Sequence, residues 1–248
     1  MDRLIDLNSI PVQATLQILL KDKTTKKNII WATNTYKDLG AGFQDTDEIT
    51  ERRIFGLNDR ILQPRASKSL EEQKERTRIK AEVMTPSWLC NKMNNYADED
   101  WFGYQNVFNT AGNNTWQISK GRIEFPEGRE WQDYIDSRRI EITCGEAPFL
   151  VSRYDTVTGE FIEPPTQRIG LLDRKLRVVG ENTSDYDTWL KWAIRAFQSC
   201  YGYEYQGDSL LIARINMLMS FCDYHEARWN KSPDAVLLRK IANIIAWN

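Results

Sequence analysis

The chain is poor in the residues on which many catalytic centres depend. Its 248 residues hold one histidine, His225, and four cysteines, Cys90, Cys144, Cys200 and Cys222, with no Cys-x-x-Cys spacing. A Ser-His-Asp or Cys-His apparatus could be built only on His225, and no nucleophile elbow accompanies it. That histidine stands between acids in FCDYHEARW and reads as a solvated helix position. Zinc calls for clustered thiolates and imidazoles, so no metal is expected. The scattered cysteines read as free thiols of a cytoplasmic protein rather than a disulfide frame. No apolar run is long enough to span a bilayer, and the start, MDRLIDLNSI, lacks the apolar stretch of a secretory signal. An excess of one charge is missing too: 33 basic residues meet 35 acidic ones, for a net charge of −2. That balance excludes a wholesale mimic of nucleic acid and a polycation, and leaves a nucleic-acid partner only a local basic face.

What is present is ordinary globular material, 41% hydrophobic, enough for one core. The reading divides it into an N-terminal extension, 1–66, and a main domain, 67–248. Apolar spacing predicts a helix over 11–20, a short strand at 28–33, and a polar helix within SKSLEEQKERTRIK (67–80). Residues 60–80 carry seven basic side chains against three acidic ones. This stretch reads as a solvated helix laced with ion pairs, or as a phosphate-facing helix using Lys68, Lys74, Arg76, Arg78 and Lys80. Loops and a hairpin are expected over 101–130, a helix over 131–139 and a strand over 139–143. Helix, strand, long helix and a final helix follow, the last with Ser232 as N-cap and Pro233 at its first position. Strands alternating with helices predict an α/β fold with a parallel, doubly wound sheet.

Two acids stand out at strand ends. Glu141 precedes a Cys144-Gly145 loop, and Glu204 ends the strand Tyr201–Tyr205. An acid at the second place can accept both hydroxyls of a ribose. In the segment GLLDRKLRVV, Asp173-Arg174-Lys175 with Asp155 upstream has the residue types of a magnesium nuclease site, and equally those of a salt-bridging strand, the reading preferred here. Trp101, Trp116 and Trp131 are candidates for stacking on bases, whereas Trp189, Trp192 and Trp229 fall on apolar helix faces.

Three stretches in this order resemble a known family. AEVMTPSWLCNKM (81–93) looks like the Thr-Pro motif of amino-group DNA adenine methyltransferases. EITCGEAPFL (141–150) resembles their S-adenosylmethionine (AdoMet) loop, and YGYEYQGDSLLIARINMLM (201–219) the strand and helix that follow. The likeness is greatest to the methylase subunits of restriction–modification systems. It implies an incomplete Rossmann-like AdoMet-methyltransferase sheet with an N-terminal helical and β-hairpin extension. It implies also that Thr85 and Pro86 pack by the methionine part of AdoMet, that Glu141, Cys144 and Gly145 form the loop, and that Glu204 takes the ribose. The chain departs from the pattern at Glu146 and Ala147, where the family carries Ser or Thr and glycine. A carboxylate at 146 is expected to repel the methionine carboxylate.

The family's catalytic loop, Asn/Asp/Ser-Pro-Pro-Tyr/Phe, has no counterpart up to Asn248. Glu163-Pro164-Pro165-Thr166 has no aromatic residue after it and reads as a turn. These departures rank first a non-catalytic binding protein of the phage–bacterium conflict, inhibiting a CRISPR effector or restriction nuclease by contacting protein or ribonucleoprotein. The alternatives are the AdoMet-binding part of a split adenine methyltransferase and a DNA-binding remnant of such a subunit. An open sheet edge would favour a protein partner or a homodimer.

Overall fold

A computed structural model describes residues 3–56, 62–80 and 82–248. The described chain is mixed α/β. Its helices are α1 (Ile10–Gln13), α2 (Leu16–Leu19), α3 (Glu51–Gly56), α4 (Leu70–Lys80), α5 (Ser87–Phe102), α6 (Trp131–Asp136), α7 (Leu171–Asn182), α8 (Tyr186–Gln198), α9 (Gly207–Trp229) and α10 (Ala235–Trp247). Strands β1 (Asn109–Ala111) and β2 (Trp116–Ile118) form an antiparallel hairpin within the stretch expected to hold one. Strands β3 (Arg139–Ile142) and β4 (Cys200–Tyr203) pair in parallel, with Glu141 opposite Gly202 and Ile142 opposite Tyr203.

Among the described residues these two pairs are the only sheets, so no Rossmann-like sheet is formed. The strand predicted at 28–33 pairs only through isolated bridges, Ile30 with Glu48 and, just before it, Asn28 with Lys21. The helix expected over 11–20 breaks between α1 and α2. There Thr15 leaves helical backbone geometry (φ −130°) and its Oγ1 donates back to the Pro11 carbonyl.

GLLDRKLRVV is a helix, not the strand expected. Its apolar residues Leu171, Leu172, Leu176, Val178 and Val179 are all buried, and Asp173, at the third helical position, accepts the N–H of Gly170. Helix α10 is capped by Asp234, whose side chain accepts from the Leu237 N–H at 2.8 Å, rather than by Ser232.

The core is continuous. Leu16, Leu19, Trp31, Phe43 and Ile49 from the first 66 residues belong to the same buried cluster as Leu150, Leu172, Phe197, Phe221 and Ile241. Helix α9 is buried around most of its circumference, and α1, α7 and α10 pack against it. It begins where Gly207 is obligatory: a Cβ there would lie 1.9 Å from the Ile30 carbonyl oxygen. No helix among the described residues is long and apolar enough to cross a membrane.

Candidate functional site

The parallel pair ends in two loops on the same side, residues 143–150 after β3 and 204–206 after β4. The first is tightly wound. Thr143, Gly145 and Ala147 all have left-handed backbone, with φ of 54°, 54° and 64°. At 147 an alanine adopts a backbone conformation that favours glycine.

The two loops are tied together. Glu204 Oε2 accepts the Gly145 N–H at 2.8 Å, Glu204 Oε1 accepts the Gln206 N–H at 2.9 Å, and Cys144 N–H donates to the Tyr203 carbonyl at 2.8 Å. Each Glu204 oxygen therefore keeps a lone pair for a further donor. A cleft of about 370 Å³ opens at this edge, lined by Glu82 to Thr85, Glu141, Cys144, Gly145, Phe149, Glu204, Tyr205 and Gln206. That volume is ordinary for a small-molecule site. Tyr205 beside Glu204 is 82% exposed, and Val83 on the facing segment is also open.

Five of the six residues assigned to a cofactor thus meet in one cleft: Thr85, Glu141, Cys144, Gly145 and Glu204. Pro86 lies one residue outside it, at the N-cap position of α5. Glu141 is buried, and one carboxyl oxygen accepts the Leu150 N–H at 3.1 Å. Burial pushes this carboxyl up to about 8, with nearby Glu204 acting in the same sense and the N–H groups of Phe149 and Leu150 opposing. Burial likewise raises the Cys144 thiol well above its ordinary range.

Glu146, expected from the resemblance to repel a cofactor carboxylate, is buried. Its side chain turns inward, accepting the Arg65 N–H and the Tyr154 hydroxyl at 2.6 Å each, and it does not line the cleft.

The basic set on 67–80 is divided by the fold. Lys74 and Arg78 are exposed, Lys68 is half-buried, and the Lys80 side chain and Arg60 fall outside the described residues. Arg76 is not phosphate-facing: it is buried and ion-paired to Glu82 and Asp208. No sequence signal in the charge pattern separated it from its neighbours.

His225 is also buried, contrary to the solvated position expected. Its Nδ1 donates to the Lys231 carbonyl at 2.6 Å, its Nε2 lies 3.2 Å from the Tyr186 hydroxyl, and Trp189 and Phe221 flank the ring.

The acid-any-Lys triplet is split among separate buried partners. Asp173 accepts from Ser152 and Gly170, Arg174 reaches Asp98, Asn91 and Asn95, and Lys175 donates to Ile135 O and Ser199 Oγ. Asp155 instead accepts the N–H of Ser87 at the start of α5. Among the described residues no group of acids, cysteines and histidine is placed to hold a metal ion.

The three candidate stacking tryptophans are engaged within the molecule. Trp101 meets Phe102 and Tyr134 edge-on with Arg129 over its face, Trp131 meets Trp192, and the Trp116 indole donates to Gln167 O. Compared with family descriptions, curated proteins and solved structures, the chain matches none.

Proposed function

We propose that the cleft at the carboxyl ends of β3 and β4 binds AdoMet, and that the chain is the cofactor-binding part of an amino-group DNA adenine methyltransferase. The observation that carries this reading is convergence. Stretches near residues 85, 145 and 204, assigned to one cofactor by the resemblance, line one cleft. Nothing in local chain geometry requires stretches so far apart in sequence to meet.

The donors and acceptors present fit such a ligand. Glu204 keeps free lone pairs on both oxygens, the number a vicinal diol needs. The exposed Tyr205 ring beside it offers a face for a nucleobase. Gly145 presents backbone without a side chain, so a ligand can approach closely. The carboxyl ends of parallel strands are where α/β proteins hold nucleotides. When bound, AdoMet supplies an electrophilic methyl group on its sulfonium; the residues described here would orient it and shield it from water. The binding-protein reading ranked first on sequence has no comparable juxtaposition behind it, and burial of Arg76 weakens the DNA-remnant reading.

Ultraviolet cross-linking of labelled AdoMet followed by peptide mapping tests the proposal. Label is expected on peptides containing 82–86, 143–150 or 203–209, and is expected to disappear in Glu204→Ala. Label confined to other peptides, or undiminished in the variant, would count against it.

A further inference from the structure

We infer that Arg76 is a positioning residue of this cleft, a staple that fixes the separation of its two walls; the inference rests on the cofactor reading above. One wall, Glu82 to Thr85, leads into α5; the other, Glu204 to Gln206, joins β4 to α9, whose first turn carries Asp208 behind the cleft and Ser209 in it. Arg76 stands behind both. Its Nε and Nη2 reach Glu82 Oε2 at 2.6 and 2.5 Å, and its Nη1 reaches Asp208 Oδ2 at 3.0 Å. Longer contacts of 3.5 Å run to Thr35 Oγ1 and Gln206 Oε1. One guanidinium therefore holds a carboxylate of one wall, Glu82, and a carboxylate of the helix turn that the other wall leads into, Asp208.

The anchor points are themselves fixed. Tyr36 donates its hydroxyl to the same Asp208 oxygen at 2.8 Å, and Arg65 Nη1 donates to the Glu82 carbonyl at 2.9 Å. The arginine side chain is 4% exposed, although its helix is polar and its neighbours Glu71, Lys74, Glu75, Arg78 and Ile79 are exposed. Apolar packing of α4 thus gives no reason to bury this one residue; the two carboxylates do. A planar fork with donors on several edges can hold both at once, whereas a lysine ammonium on a flexible stem cannot fix their separation. Loss of the fork would let the Glu82–Thr85 segment shift relative to Glu204 and Gln206, and a ligand that touches both walls would bind more weakly.

Calorimetric titration of the full chain with AdoMet, with circular dichroism to verify folding, tests this. Arg76→Lys is expected to weaken binding about tenfold or more and to shrink the rise in melting temperature that saturating AdoMet produces. Glu75→Ala, exposed on the same helix, should bind like the parent. A folded Arg76→Lys that binds within about twofold of the parent overturns the staple. Should that variant fail to fold, Asp208→Asn decides, since Asp208 does not line the cleft and the amide keeps an acceptor but loses the charge: weaker binding supports the inference and parental binding overturns it. A parent chain that does not bind AdoMet overturns the cofactor reading itself, and the staple falls with it.

Discussion

Glu141 is a carboxyl held out of water with backbone N–H groups as its partners, and its protonation is linked to folding. The unfolded chain releases this proton near 4.5 and the native chain near 8, so across that window the native state holds a proton that the unfolded state does not. The stability tied to the protonated carboxyl is complete below about pH 4.5 and is lost as pH climbs through 8, by at most about 1.4 kcal/mol per pH unit. Asp173, raised to about 6 by burial, acts in the same sense between 3.8 and 6. Glu141→Gln keeps an acceptor for Leu150 and cannot ionise. Urea unfolding at about pH 5.5 and about pH 8 should therefore differ less in Glu141→Gln than in the parent, and an equal difference would contradict the assignment.

Gly145 makes a second test at this scale. Its φ is +54°, and a Cβ would lie 3.4 Å from both the Sδ and Cε of Met84, which lines the cleft. Gly145→Ala should cost about 1 kcal/mol of stability and should also weaken AdoMet binding, read by parallel melting and titration. That Gly145 and Glu204 each follow a strand was legible in the sequence, from the β-branched and aromatic runs before them. The inward turn of Glu146 was not, because its partners Arg65 and Tyr154 come from separate segments.

Among elements, α7 shows most clearly what local pattern conveys and what it leaves out. Its apolar spacing is helical, yet the short run GLLDRKLRVV fits a strand as well, and the start is settled by Asp173 accepting the Gly170 N–H. Burial of Arg174 and Lys175 could not be read locally, since their partners lie on α5, on α6 and around β4: Asp98, Asn91 and Asn95 for one, Ile135 and Ser199 for the other. Asp98 sits between Arg174 and Arg139, at 2.7 and 2.9 Å. Arg174→Ala leaves polar groups of that network buried without a donor and should destabilise by about 3–5 kcal/mol in chemical denaturation. The cap of α10 gives a milder test: Asp234→Ala should cost about 1 kcal/mol and Ser232→Ala almost nothing, and the reverse order would restore the cap expected from sequence.

At the scale of the molecule, the N-terminal stretch shares its core with the C-terminal helices, which composition alone could not reveal. The α and β character and most helix positions followed from periodicity and turn residues. The extent of the sheet did not, because pairing is set by long-range partners. Ile140, Ile142 and Tyr203 lie exposed on the parallel pair. All four cysteines are free and buried, and burial raises the thiols of Cys90, Cys144 and Cys222. The folded chain should therefore react with an aromatic disulfide reagent only after denaturant is added.

The central claim is that a cofactor site is assembled from three distant stretches of sequence, and calorimetric titration of the intact chain with AdoMet tests it most directly. The account predicts saturable binding at one site per chain with a dissociation constant of roughly micromolar order, abolished by Glu204→Ala. No heat of binding at roughly millimolar AdoMet, or identical binding in that variant, would contradict it.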